Sequence, residues 1–361
     1  MLFDRLTLEE RGFLGALQSD PTFYGVLRPR VGSEPLGVKS VDRDTALLFL
    51  TLAEPKPLPQ YVASSDAQRE VARLLADGVL QVDVGAGFVS GADVIALLGL
   101  GTKKRGGGCI ASLSRDALRY AQALPIEESW VLADRIYAYN RLPLTPRWHR
   151  LLSPRANHAS YLQIAEGAQA EKALSRNWLA LSPSPSWLCW GASSRRPPAA
   201  GGPTYKLYLS PKPEALAGDG FAAIVSALSL TRAFQFKVGA GAAGLLRPDK
   251  LVAYFWNFEA LAKGASRIRE RLDGMPAHGV PFTAQVGGDG LLSWGLDPPP
   301  EPGLPGMGAD SWRLWLARRL ARAIVSARAT PEPWRFAVER LRLEGVDTDT
   351  WAPGPLVFKE A

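Results

Sequence analysis

Past residue 203 the sequence runs as an ordered set of short segments, and that order constrains the fold more than any other feature. Residues 204–209 (TYKLYL), 233–238 (AFQFKV) and 251–256 (LVAYFW) have strand length and are rich in aromatic and β-branched residues. Residues 220–230 and 258–272 carry helical spacing of apolar positions. Residues 281–286 and 291–294 read as a hairpin across Gly287-Gly-Asp-Gly290. The order strand, helix, strand, strand, helix, strand predicts an α+β fold with a mixed or antiparallel sheet.

The chain has 361 residues, which favours two domains over one. Residues 182–203 (SPSPSWLCWGASSRRPPAAGGP) are so dense in Ser, Pro and Gly that they read as a linker or long loop. The expected plan is therefore a mainly helical domain over 1–181, a connection over 182–203 and the α+β domain over 204–361. In the first part, Thr7-Leu-Glu-Glu10 is a capping box and 46–52 is a short apolar run. Residues 67–76 predict a helix, and 79–89 a hairpin turning at Gly85-Ala-Gly87. Helix then hairpin is the outline of a winged-helix-like peptide-docking element. Ser90-Gly-Ala-Asp93 opens a further helical segment. Helices are expected over 114–124, 127–141 and 157–181.

Lys and Arg number 42 against 35 Asp and Glu, a net charge of +7. Much of the excess lies in 311–346, where eight arginines face three acids between apolar residues. That pattern predicts an amphipathic helix with a basic outer face. No nucleic-acid motif accompanies it, so no nucleic-acid partner is expected. No apolar run approaches the roughly 20 residues that cross a bilayer, and no signal peptide opens the chain. With two cysteines there is no disulfide framework, and the expected location is the cytoplasm, away from the membrane. Three histidines, without HExxH or Cys-x-x-Cys spacing, leave few parts for a metal site.

Two glycine-rich segments need a decision. Gly239-Ala-Gly241-Ala-Ala-Gly244 fits a dinucleotide fingerprint and follows a strand, but Pro248 and a further strand come next instead of a long helix. It reads as a glycine-rich strand connection. Residues 99–108 (GLGTKKRGGG) lack the Lys-Ser/Thr that must follow the last glycine of a P-loop, and read as a basic loop.

The informative residues are cations inside strands. Lys206 stands in TYKLYL, and alternation puts Lys206 and Tyr208 on one face. Lys237 stands in FQFKVG, and Arg247 and Lys250 follow in LLRPDK. Burying an ammonium costs several kcal/mol unless it is paired or loses its proton. A lysine of lowered pKa is a candidate general base. The plainer alternative is that each lysine snorkels from a strand edge.

The set YKLYLSP, FKVG, RPDKLVAYF and GVPFTAQVGGDGLLSWGLDPP, spanning roughly Tyr205 to Pro300, resembles the HopA-type effector family. Relatives of that family occur as lyase components of class V lanthipeptide and thioamitide-like systems, and are similar to phosphothreonine lyases. The resemblance implies a phosphothreonine-lyase-like α+β domain that removes phosphate from phosphoserine or phosphothreonine by β-elimination, giving dehydroalanine or dehydrobutyrine. It implies Lys237 as base and Lys206, Arg247 and Lys250 as the phosphate cradle. Those lyases carry Lys-x-His where this chain has Lys206-Leu-Tyr208, so the acid is either Tyr208 or His278. Tyr205 or Thr283 would add a hydrogen bond to substrate. No cofactor or metal is implied. The implied partners are a phosphorylated precursor peptide and a separate Ser/Thr kinase, with a hetero-complex or homodimer left open. The competing expectation is a non-catalytic, effector-like or peptide-binding module.

Overall fold

The computed structural model describes residues 23–27, 39–42, 65–95, 97, 108–152, 155–182, 184–194, 204–298, 310–354 and 357–358. The capping box at 7–10, the apolar run 46–52 and the basic loop 99–107 lie outside the described residues. The chain divides into two compact units, Met1–Leu74 and Leu75–Ala361. In the first, β1 (Phe23–Leu27) and β2 (Lys39–Asp42) pair antiparallel. Helix α1 (Ser65–Ala76) follows, close to the expected 67–76.

The second unit opens with a hairpin of β3 (Val82–Asp83) and β4 (Phe88–Val89), closed across Gly85-Ala-Gly87 as expected. Helices α2 (Cys109–Ala123), α3 (Ser129–Ala138), α4 (Pro146–Leu152), α5 (Arg155–Tyr161) and α6 (Gln169–Asn177) come next. The single helix expected over 157–181 is broken: Gln163 and Gly167 take positive φ, and Trp178–Ala180 turns into strand β5. The linker expected over 182–203 is also corrected, because Trp187–Ala192 forms strand β6. Its apolar residues Trp187, Leu188 and Trp190 outweigh the Pro and Ser signals around them. The expected boundary therefore falls inside the second unit.

The rest of the sheet comes from β7 (Tyr205–Leu209), β8 (Gln235–Gly239), β9 (Leu251–Phe255), β10 (Ala284–Val286) and β11 (Leu292–Leu296). Seven strands line up as β10-β11-β7-β9-β8-β6-β5, with every pair antiparallel. With the helices around it, the fold is α+β. One face buries Leu207, Leu209, Phe236, Val238, Ala253 and Phe255. Helices α7 (Gly220–Ser229) and α9 (Phe258–Arg271) supply Phe221, Ile224, Leu261 and Ile268 to the same core. A short helix α8 (Gly241–Leu245) occupies the glycine-rich strand connection. Gly239 and Gly244 are there for packing: a Cβ on either would sit within 3 Å of the other's backbone.

The opposite face meets α10 (Trp312–Ser326), which packs along α3 and is followed by α11 (Pro333–Leu343). The expected single basic helix is thus two helices, broken before Pro333. A closing pair, β12 (Val346–Asp347) and β13 (Ala352–Pro353), ends the described fold. Gly295 lets α10 approach: a Cβ there would lie 2.5 Å from the Trp312 ring. No helix among the described residues is long and apolar enough to cross a membrane.

Beside the start of β9, Lys250 is fully buried. Its Nζ donates to the Pro211 carbonyl at 2.9 Å and lies 2.8 Å from His278 Nδ1. This ties the segment after β7 to the segment before β10. Burial pushes the Lys250 ammonium down to about 7. Burial, then the Lys250 charge, lowers His278 to about 3, so the imidazole is neutral and its Nδ1 accepts.

Two outcomes follow from this packing. Gly295→Ala should destabilise the protein by about 1–3 kcal/mol in urea denaturation, because Trp312 is fully buried and has no room to shift. Lys250 has a lower pKa folded than unfolded, so the unfolded chain binds more protons between pH 7 and the ordinary lysine range. Stability should then rise with pH across that window, by up to ~1.4 kcal/mol per unit from this group. Lys250→Met should flatten the rise; an unchanged slope would contradict the assignment.

Candidate active site

The strand register builds the site. Lys206 lies opposite Gly295 on β11 and Tyr254 on β9, and Tyr254 lies opposite Gln235 on β8. One pleat along, Tyr208 faces Val252, which faces Lys237, which faces Cys189 on β6. Directly paired residues share a face, so Lys206, Tyr208, Lys237, Tyr254 and Cys189 all stand on the face opposite the large core. Apolar neighbours along each strand fill that core, and the alternation sends the cations to the other side.

Lys237 is the centre. Its Nζ sits 4.1 Å from the centroid of Trp187 and 5.8 Å from that of Tyr254. Lys206 shares the Tyr254 ring, with Nζ 5.5 Å from the centroid. Arg247 shares the Trp187 ring, with Cζ at 5.0 Å. Lys206, Lys237 and Arg247 therefore converge. Among the described residues no carboxylate reaches ion-pair distance of Lys237, whereas Lys206 pairs with Asp297 and Arg247 with Asp249. Burial, reinforced by the Lys206 charge, lowers the Lys237 ammonium to about 8. A side chain of that kind is largely protonated at neutral pH yet carries a usable fraction of free amine.

Asp249 organises the cationic side. Arg247 donates to both its oxygens, Nε–Oδ1 at 2.8 Å and Nη2–Oδ2 at 2.9 Å. Arg313 Nη1 pairs with Oδ2 at 2.8 Å, and the Tyr137 hydroxyl donates to Oδ2 at 3.2 Å. Burial alone would raise the Asp249 carboxyl, but Arg313 and Arg247 outweigh it and hold it far below the usual carboxylate range. Arg313 is itself buried, donating from Nε to the Pro281 carbonyl and from Nη2 to the Tyr137 carbonyl. Arg247 keeps one amino group in reserve: its Nη1 makes no hydrogen bond among the described residues.

Of the residues expected in the site, Lys206, Tyr208, Lys237 and Arg247 come together on this face. Tyr208 is buried, burial holds its hydroxyl firmly protonated, and that hydroxyl makes no hydrogen bond among the described residues. Four others are placed elsewhere. Tyr205 alternates to the core face and packs against Phe258 and Trp294. Thr283 is buried with its hydroxyl committed to the Val280 carbonyl and Ser293. Lys250 has no accessible ammonium, since Pro211 and His278 take it up, so it cannot meet phosphate. His278 spends Nδ1 on Lys250, and its Nε2 is buried with no hydrogen-bond partner among the described residues, so it does not serve as an acid on this face.

Sequence reasoning missed Tyr137, Trp187, Asp249, Asp297 and Arg313. Arg313 was expected on a solvated basic face. The signal that would have found it is phase: it falls on the stripe of Leu316, Leu320 and Ile324, the buried side of α10. Trp187 was hidden in the segment read as linker.

No family model matches the chain, and no curated protein matches it. Among solved structures, the effector protein from Pseudomonas syringae pv. syringae strain 61 is 13% identical over 69% of this chain and 99% of its own, with a TM-score of 0.41. The effector protein from Pseudomonas syringae pv. tomato strain DC3000 is 14% identical over 68% of this chain and 97% of its own, also with a TM-score of 0.41. A phosphothreonine lyase is 9% identical over 62% of this chain and 97% of its own, with a TM-score of 0.28. Likenesses this distant assign no residue a role, and the roles below rest on the distances and charges of this site.

Proposed function

We propose that the chain is a lyase that eliminates phosphate from phosphoserine or phosphothreonine in a ribosomal precursor peptide, leaving dehydroalanine or dehydrobutyrine. The observation that carries this reading is Lys237: a half-buried amine of lowered pKa, without a carboxylate partner among the described residues, beside two cations on one sheet face. A base among cations suits a reaction that removes a proton while a dianion leaves.

Each step uses a group already placed. Lys237 as free amine takes the Cα proton of the phosphoresidue. The C–H electrons become the Cα–Cβ double bond, and the Cβ–O electrons leave with the phosphate. Lys206 and the Arg247 Nη1, which makes no hydrogen bond among the described residues, neutralise the phosphate oxygens. Tyr208, held protonated by burial, gives its proton to the departing oxygen, so the dianionic ester releases hydrogen phosphate as a dianion. The phosphate departs, and the proton taken by Lys237 passes through water to the Tyr208 phenolate, so both groups return to their starting states. A kinase must supply the phosphate, so a separate Ser/Thr kinase belongs to the proposal. The precursor-peptide substrate rests on the family resemblance of the strand motifs.

A second reading, a non-catalytic effector-like or peptide-binding module, is favoured by one observation. Both cations flanking Lys237 already hold carboxylates, Asp297 and Asp249. The two readings part on a single incubation. A phosphoserine peptide mixed with the protein should lose the elements of phosphoric acid in mass spectrometry; saturable binding with the peptide mass unchanged would favour the module.

Lys237→Ala should lower turnover by a factor on the order of a hundred or more while circular dichroism stays native. Full activity in that variant would reject Lys237 as base. Because the amine must be free, kcat/KM should climb with pH and level off above about 8. A rate that falls through that range would contradict the mechanism.

A further inference from the structure

One aromatic ring in the site serves two cations. Trp187 opens β6, opposite Gly239 on β8, and its indole centroid lies 4.1 Å from Lys237 Nζ and 5.0 Å from Arg247 Cζ. Both distances are within the roughly 6 Å over which a ring face attracts a cation. The backbone that carries the ring is anchored: the Trp187 amide donates to the Ser184 carbonyl, and the Ala240 amide donates to the Ser186 carbonyl, which ties the turn before β6 to the end of β8. Lys206 repels the Lys237 ammonium, Asp249 attracts it through space, and Arg247 repels it less strongly. Asp249 gives its ion pairs to Arg247 and Arg313 and is not within ion-pair distance of Lys237. Cys189 lies across from Lys237 in the register but has no charge to offer while protonated, and burial raises its pKa. Among the described residues no carboxylate comes within ion-pair distance of the Lys237 ammonium, and the group that sits closest over it is the Trp187 ring, at 4.1 Å.

We propose that Trp187 is a positioning residue for the elimination, its indole holding the Lys237 ammonium and the Arg247 guanidinium against one ring so that base and phosphate-holding group keep a fixed separation. The assignment rests on the lyase reading above. The Cα proton and the phosphate of one residue are a few bonds apart, so the base and the cation must be set to the same small span. A misplacement of about 1 Å is enough to cost on the order of a hundredfold in rate. The ring also keeps water from the Lys237 amine.

The experiment reads Lys237 directly and does not need turnover. Each lysine is labelled with an amine-selective reagent across pH, and the labelling midpoint of Lys237 is read by peptide mass spectrometry. In the wild-type protein the midpoint should fall near 8. In Trp187→Ala it should move up toward the ordinary lysine range as water reaches the amine, and in Trp187→Phe it should stay low. A midpoint unchanged in Trp187→Ala would overturn the proposal, whatever the activity.

A wild-type measurement covers the case in which the alanine variant fails to fold. With fluorotryptophan incorporated, the Trp187 resonance is assigned by its loss in Trp187→Phe. It should shift with the Lys237 titration and be flat in Lys237→Met; a flat signal in the wild type would also overturn the proposal. Activity then separates the two claims. With elimination detected, kcat/KM should drop on the order of a hundredfold in Trp187→Ala and recover in Trp187→Phe. If the wild type shows no elimination, the lyase reading fails while the labelling still decides whether Trp187 holds Lys237.

Discussion

The site depends on one buried carboxylate. Asp249 binds Arg247 from its own segment and Arg313 from α10, and receives the Tyr137 hydroxyl from α3. Three separate stretches of chain meet at two oxygen atoms. Removing one partner of such a buried pair typically costs about 3–5 kcal/mol, because the other charge is stranded in a low-dielectric setting. Asp249 therefore fixes Arg247 and also holds the α3–α10 layer to the sheet. Without it, two guanidinium groups would face each other with no anion between them.

That arrangement leaves Lys237, among the described residues, as the cation of the site with no carboxylate at ion-pair distance. Evolution could have given it a carboxylate, as it gave Lys206 Asp297 and Arg247 Asp249. Two aromatic rings stand there in place of a carboxylate. A ring holds an ammonium without raising its pKa as strongly as a carboxylate would, so the amine stays available as a base. The same logic separates the two buried lysines. Lys250 is also depressed by burial, yet its partners are a carbonyl and an imidazole in a closed interior, and it acts as a structural clip.

Much of the fold was legible because it rests on local pattern. The strands at Tyr205–Leu209 and Leu251–Phe255 and the helices at Gly220–Ser229 and Phe258–Arg271 fall within a residue or so of their expected positions. Alternation alone placed Lys206 and Tyr208 on one face. The misses have physical causes. Strand β6 is surrounded by Pro and Ser, so local composition argued against a segment that only tertiary pairing with β8 makes extended. Arg313 is a charge on an apolar stripe, and nothing local names the carboxylate that lets it be buried there. Tyr205 and Lys250 have residue types suited to phosphate, but the pleat turns one to the core and the interior encloses the other. Residue type suggested the chemistry, and only register and burial told which candidates can perform it.

The claim that most needs testing is that the phosphate leaves by carbon–oxygen cleavage driven by proton removal. Reaction of a phosphoserine peptide in water enriched in heavy oxygen tests it directly. The account predicts an alkene in the peptide and inorganic phosphate that carries only its original oxygens, since the Cβ–O bond breaks and water never attacks phosphorus. Heavy oxygen in the released phosphate, with a serine hydroxyl restored in the peptide, would contradict it.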